Sequence, residues 1–350
     1  MASLPHLGHV KTFGNLFFGI RTTFLRRLPT TVLLLETSLT NHQCISQLKY
    51  LRTRANIFTF TEAPLRKPRR MILNEAALKL DLPQTTTRLK RFIKHYVQSA
   101  KAIGIVLALS GGLDSSTVAA LSTMAVGGSK VLALSMPEKE TYSDPDIKHS
   151  RTLARKLGFS LKTIDITDIL QTYYKSIPSF DPQDLVSKGN IKARARMTCL
   201  YYHANHLHRI VVGPSDKSET MMGYFTKWGD VAADISPLMD LYKTQVRKLA
   251  AYIGVPAEII EKPSTPQLWP GQLAEQELGI KYETLDLILL GLENFMPDQD
   301  IAKQMNLQPK LVQAIKKRWL SMEHKRRAPL TMKMEYRTVG ADFRLPYTPP

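Results

Sequence analysis

The chain has 350 residues, 43% hydrophobic and 22% charged, which is the composition of one large or two ordinary globular domains and excludes a disordered or collagen-like chain. Its longest apolar runs, such as Ile103 to Leu109 and Leu287 to Leu292, fall far short of the ~20 residues that span a bilayer. The net charge of +18 is uneven: residues 1–70 hold eleven Lys/Arg and two acids, so half of the excess lies in one fifth of the chain. The remaining +9 suits an anionic ligand such as a nucleotide as well as it suits RNA.

Residues 1–70 show no sustained helical or strand period, and no Asp or Glu precedes Glu36. A basic, acid-poor stretch of this kind has the composition of a mitochondrial transit segment. The favoured reading is a dispensable extension, because Met71 opens the first well-patterned segment, ahead of a transit segment and then of a small functional module. Its short apolar runs are Val32 to Leu35 and Ile57 to Phe60. The expected location is the cytoplasm, or the mitochondrion if this stretch is a transit segment. Cys44 and Cys199 form no CxxC pair, which excludes a disulfide framework and a Cys-based zinc site and favours a reducing compartment.

Helical spacing of Leu89, Phe92, Ile93 and Val97 predicts an amphipathic helix over 84–100. Strand-length apolar runs follow at 104–109, 130–136, 161–165 and 209–213, separated by helical patterns at 114–123, 144–157 and 193–205. Apolar strands alternating with helices predict a doubly wound α/β domain with a parallel sheet covered on both faces. After Pro237 the pattern is helical, at 243–253, 282–293, 299–305 and 310–322. The expected organisation is an extension over 1–70, an α/β domain with a helical C-terminal region over 71–330, and a tail over 331–350.

Between the first strand and the next helix lies Ser110-Gly-Gly-Leu-Asp-Ser-Ser116. Two glycines let the backbone turn tightly against an anion, and successive N–H groups running into a helix start make an anion cradle. Asp114 beside phosphate makes sense if a divalent cation bridges the two. No Lys follows the glycines, so this is not the GxxxxGK[ST] loop, and a grip on pyrophosphate without that Lys suits chemistry at the α-phosphate.

The loop resembles the signature of the N-type ATP pyrophosphatases, whose adenine nucleotide alpha-hydrolase-like fold serves adenylation of an oxygen followed by displacement of AMP. Further stretches appear in order: Gly189-Asn-Ile-Lys-Ala-Arg-Ala-Arg-Met197, Gly213-Pro-Ser-Asp-Lys-Ser-Glu219, Gly223-Tyr-Phe-Thr-Lys-Trp-Gly-Asp230, Asp234-Ile-Ser-Pro-Leu238, Leu241-Tyr-Lys-Thr-Gln-Val246, Glu277-Leu-Gly-Ile-Lys-Tyr282 and Glu323-His-Lys-Arg-Arg327. Together they are similar to the ammonia-dependent NAD synthetases, most of all the archaeal type, from about residue 75 to about residue 330.

That resemblance implies an enzyme, a carbon–nitrogen ligase making NAD from deamido-NAD, ATP and ammonia. It implies ATP contacts from Ala108, Leu109, Ser110, Gly111, Gly112, Leu113, Asp114, Ser115 and Ser116, and from Pro214, Lys243 and Ser264. It places Mg2+ on Asp114 and Glu219, makes Asp114, Glu219 and Lys243 the catalytic set, and assigns deamido-NAD to Arg194, Lys227, Asp234, His324 and Lys325. It also implies a homodimer, with no membrane or nucleic-acid partner. Asp230 is a candidate acceptor for the ammonium proton.

Pro214 stands where the family commonly has Thr, which removes a hydroxyl and an N–H from the expected ATP site. Val231 and Ala232 stand in place of a usual glycine pair. Two alternatives fit the loop: an adenylating tRNA-modification enzyme and a non-catalytic nucleotide-binding protein. Thiolating tRNA enzymes are expected to carry reactive or paired cysteines, and the spacing of Cys44 and Cys199 does not offer them. A GMP synthetase would need a further region after the loop domain.

Overall fold

The computed structural model describes residues 71–334 and residue 336; the expectations for 1–70, Cys44 included, and for most of the tail lie outside the described residues. Strands β1 (Ile105–Ala108), β2 (Val131–Ser135), β3 (Ser160–Thr163) and β4 (Ile210–Val211) form a parallel sheet in the order β3-β2-β1-β4. Ile105 pairs with Val131 on one side and Ile210 on the other, and Leu132 pairs with Ser160. The chain winds outward from β1 to β3 and then returns to lay β4 on the far side of β1. Strand order reverses between β1 and β4, and the crevice beyond their carboxyl ends is where open α/β sheets bind ligands.

Alternate strand residues serve opposite faces. Ile105, Leu107, Val131 and Ala133 join a core with helices α1 (Leu82–Ser99), α2 (Leu113–Val126) and α3 (Asp144–Leu157). Val106, Leu132 and Leu134 join another, which takes in α4 (Thr167–Ser176) and α5 (Leu185–His206). After β4 come α6 (Lys217–Met222), α7 (Lys243–Tyr252), α8 (Ala257–Ile260), α9 (Ala274–Leu278), α10 (Tyr282–Glu293), α11 (Asp298–Gln304), α12 (Pro309–Ser321) and α13 (Glu323–Arg326). Leu285, Ile288, Leu289, Ile301 and Val312 build a third core here, and Leu73 and Leu78 pack into it. Among the described residues no helix is long and apolar enough to cross a membrane.

The expected elements differ from the observed ones where local signal is weak. Helix α4 escapes the sequence reading because Leu170 is its one buried residue, too few to show a period. Helix α5 starts eight residues before the expected 193, capped by Asp184, whose carboxylate accepts Ser187 N at 2.9 Å. Its first turn exposes Leu185 and Val186, and Gly189 and Lys192 begin its buried side, so no apolar stripe marks the start. Strand β4 has two residues, extended by a bridge between Val212 and Ile235.

Lys192 has no solvent exposure and donates to Glu138 Oε1 at 2.6 Å and Glu140 Oε2 at 2.7 Å, fastening α5 to the segment that leaves β2. Burial disfavours the Glu138 charge, but Lys192, the N–H of Glu140 and the hydroxyl of Thr141 outweigh it and hold the carboxyl below its usual range. Lys192→Met should therefore destabilise the fold by about 3 kcal/mol at pH 7, because it leaves Glu138 buried without its cation. A depressed carboxyl contributes stability above its ordinary pKa and loses it as pH falls through the folded value. Without Lys192, burial alone would raise Glu138, so the gap between wild type and variant in chemical denaturation should narrow as pH falls from the variant's raised value through the wild type's lowered one.

Candidate active site

The loop after β1 is shaped by its own side chains. Gly111 has φ +79°, and a Cβ there would lie 2.4 Å from Asp146 O, so both conformation and space demand glycine. The hydroxyls of Ser110 and Ser115 lie 3.1 Å apart; Ser110 Oγ accepts Gly112 N at 3.3 Å and Ser115 Oγ donates to Gly112 O at 3.2 Å. Gly112 caps α2 without a side-chain hydrogen bond, which leaves the first amides of the helix for an anion. Ser116 is buried and its hydroxyl has no partner. Leu109 is buried, so it offers a ligand main-chain groups rather than its side chain.

Lys243, the first residue of α7, extends a wholly buried side chain into three carboxylates. Its Nζ lies 2.7 Å from Asp114 Oδ2, 2.7 Å from Asp216 Oδ2 and 2.8 Å from Glu219 Oε1. Asp114 comes from the first turn of α2 beyond β1, and Asp216 and Glu219 come from the start of α6 beyond β4. The centre therefore sits at the point where strand order reverses. Burial opposes the Lys243 charge, but Asp114, Asp216 and Glu219 together raise its pKa well above the usual value. Burial pushes Asp216 well up, with Glu219 and Asp114 adding to it and Lys243 opposing. Glu219 is raised as well, by burial first, with Asp114 and Asp230 adding to it and Lys243 opposing.

Asp216 was not among the sequence candidates. The spacing Asp216-x-x-Glu219 reads as an ordinary helix cap, and Asp216 Oδ1 does accept Glu219 N at 2.8 Å. Only its second oxygen, turned onto Lys243, belongs to the charged centre. One oxygen from each of the three carboxylates lies within 4.8 Å of the other two, and Asp114 Oδ1 is buried without a hydrogen-bond partner. An all-oxygen donor set with an unsatisfied buried oxygen fits a hard divalent cation such as Mg2+.

Ser264 lies in a loop fastened beside the phosphate loop. Its neighbours Lys262 and Gln267 both donate to Asp146, the residue whose carbonyl crowds Gly111. Pro214 is half-buried and follows Gly213, whose N–H donates to Ile235 O at 2.9 Å.

Four of the five residues expected at deamido-NAD converge. Arg194 Nη2 donates to Lys227 O at 3.3 Å, and Lys227 Nζ donates to His324 O at 2.9 Å. Lys325 Nζ donates to Gly223 O at 2.5 Å and stands 4.7 Å from the centre of the Phe225 ring. Asp234 stands outside this group, and its Oδ2 accepts Val211 N at 2.7 Å at the end of β4. Asp230 Oδ1 accepts Thr226 N at 2.7 Å. Crowding around that carboxyl raises its pKa against the pull of Thr226 and Lys325, while part of the residue stays open to solvent. Within the Glu323–Arg327 motif, Arg326 donates to Met221 O at 2.7 Å and Trp319 O at 2.6 Å.

The NAD synthase family model matches residues 85–329. The NH(3)-dependent NAD(+) synthetase of Hyperthermus butylicus is 44% identical over 261 residues, covering 74% of this chain and 94% of that protein. Among solved structures, the NMN synthetase from Francisella tularensis aligns with a TM-score of 0.65 at 32% identity, over 73% of this chain and 100% of that one. An NH3-dependent NAD synthetase from Campylobacter jejuni, in complex with nitrate, aligns at 0.61 and 30%, with the same coverage. In extent, in fold and in the ordered motifs around its charged centre, the chain belongs to the NAD synthase family.

Proposed function

We propose that the protein is an ATP-dependent ligase that amidates the nicotinate carboxyl of deamido-NAD with ammonia, giving NAD, AMP and pyrophosphate. The observation that carries this reading is Lys243 held among Asp114, Asp216 and Glu219 beside the glycine loop, in a chain 44% identical to an ammonia-dependent synthetase. The tRNA-modification and non-catalytic readings are not favoured.

A carboxylate oxygen of the substrate attacks the α-phosphorus of ATP, and the bond to pyrophosphate breaks. Ammonia then attacks the resulting mixed anhydride at the acyl carbon, AMP leaves, and the nitrogen loses a proton, for which Asp230 is the candidate acceptor. No protein nucleophile is needed, and the task is to align two anions and stabilise the charge that develops between them. Loop amides and Ser110, Ser115 and Ser116 hydroxyls grip the leaving pyrophosphate, and Lys243 brings positive charge to the phosphates. Arg194, Lys227, His324 and Lys325 receive the dinucleotide, with Asp234 as acceptor for a ribose hydroxyl. Mg2+ bound by Asp114 and Glu219 would neutralise phosphate charge.

A second reading follows from the Francisella neighbour, a synthetase of NMN. Initial rates with ammonium and either deamido-NAD or nicotinate mononucleotide decide between them, and faster turnover of the mononucleotide would reverse the choice. Ammonia should support the reaction and glutamine should not, as the match to NH(3)-dependent NAD(+) synthetases over most of their length suggests. NAD formed by the purified chain from glutamine alone would overturn this.

On the resemblance we also assign a homodimer, which sedimentation tests. The family match begins at residue 85 and Leu73 and Leu78 already lie in the third core, so a chain starting at Met71 should keep turnover within about twofold.

A further inference from the structure

We propose that Asp286, in the helical C-terminal region, is a positioning residue that sets where Lys243 stands relative to Glu219. The inference rests on the reading that Lys243 serves ATP.

Asp286 has no solvent exposure, and the partners that donate to its carboxylate lie 42 and 68 residues away in sequence. Its Oδ1 accepts Ser218 Oγ at 2.6 Å, and its Oδ2 accepts Thr244 N at 2.9 Å and Thr244 Oγ1 at 2.7 Å. Ser218 Oγ in turn accepts Lys243 N at 2.9 Å. One carboxylate thereby ties the first turn of α7, where Lys243 begins, to the residue that directly precedes Glu219. A negative charge there also suits the positive end of the α7 dipole.

One turn earlier on α10, Tyr282 addresses the same two residues by their side chains. Its ring centre lies 5.3 Å from Lys243 Nζ, and its hydroxyl donates to Glu219 Oε1 at 3.3 Å. Tyr282 and Asp286 are four residues apart and so share a helix face. Leu285, Ile288 and Leu289 seat α10 in its own core, which makes it a rigid support. Long, flexible lysine side chains contribute to catalysis only when their base is fixed, and supporting hydrogen bonds supply that fixity. Buried groups around Asp286 work against its charge, Ser218 and Thr244 favour it, and the balance raises its pKa. A carboxyl kept in an unfavourable place by three dedicated donors has a use beyond packing.

The test is a double-mutant cycle on the full chain, reading the dissociation constant of a non-hydrolysable ATP analogue by calorimetry with Mg2+ present. Asp286→Asn should weaken the analogue by about fivefold in the protein with Lys243, and by less than twofold in a Lys243→Gln background. A residue that only holds the fold would cost the same in both backgrounds. A loss of twofold or more with Gln at 243, or below twofold with Lys at 243, overturns the proposal. If Asp286→Asn does not fold, Ser218→Ala takes its place, since it removes the hydroxyl that joins Asp286 Oδ1 to Lys243 N and leaves the bonds of Asp286 to Thr244 intact. If Lys243→Gln alone leaves the affinity unchanged, the ATP-site reading fails instead, and the positioning role with it.

Discussion

Replacing Asp114 by Asn is expected to lower the turnover of NAD synthesis by ~10²-fold or more while leaving the unfolding midpoint within a few degrees of wild type. The side chain keeps its volume, and it is partly open at the mouth of the loop, with 22% exposure. The substitution removes a charge from a group of three carboxylates that a single lysine cannot fully neutralise, so the lost ion pair is offset by reduced repulsion. What disappears is the anion at the start of α2 beside the glycine loop, which on the proposed reading would hold the divalent cation. Steady-state rates at saturating Mg2+, set beside a thermal melt, give both quantities. Turnover near wild type would remove Asp114 from the chemistry.

Lys243→Gln should lower turnover by a comparable ~10²- to 10³-fold and, unlike Asp114→Asn, should also cost about 3 kcal/mol of stability. The amide can still donate a hydrogen bond, but it leaves Asp114, Asp216 and Glu219 facing one another without a cation. Asp216, with no exposure, cannot turn to water. The pH dependence has a definite sign. Asp216 and Glu219 have raised folded values, so their contribution favours the fold at low pH and is lost as pH rises through those values. Loss of Lys243 raises them further, and the stability deficit of Lys243→Gln should therefore grow from acid to neutral pH. Denaturation at pH 5 and pH 8 checks this, and a deficit independent of pH would mean that the carboxylates are compensated by another route.

Three local signals carried the sequence reading. Apolar runs of strand length alternate with helical periods, and that alternation requires a parallel sheet covered on both sides. Ser110-Gly-Gly-Leu-Asp-Ser-Ser116 announces an anion cradle because its glycines and the helix that follows are adjacent in the chain. Lys243 and Glu219 were legible through their ordered motifs, each at the start of a helix.

The charged centre was decided by the sheet. Lys243 meets Asp114 across 129 residues and Glu219 across 24, because α2 follows β1, α6 follows β4, and strand order brings β1 and β4 side by side. Asp216 looks like a helix cap and Asp286 like one acid in an apolar helix, and nothing adjacent to either shows that its carboxylate is buried. Lys192 and Glu138 likewise meet only because α5 is laid along the end of β2. Hydrophobic period and turn chemistry are written locally because they act through neighbouring residues. Burial of a charge, and the partner that makes it tolerable, depend on which distant segments close over it, and only the folded chain fixes that.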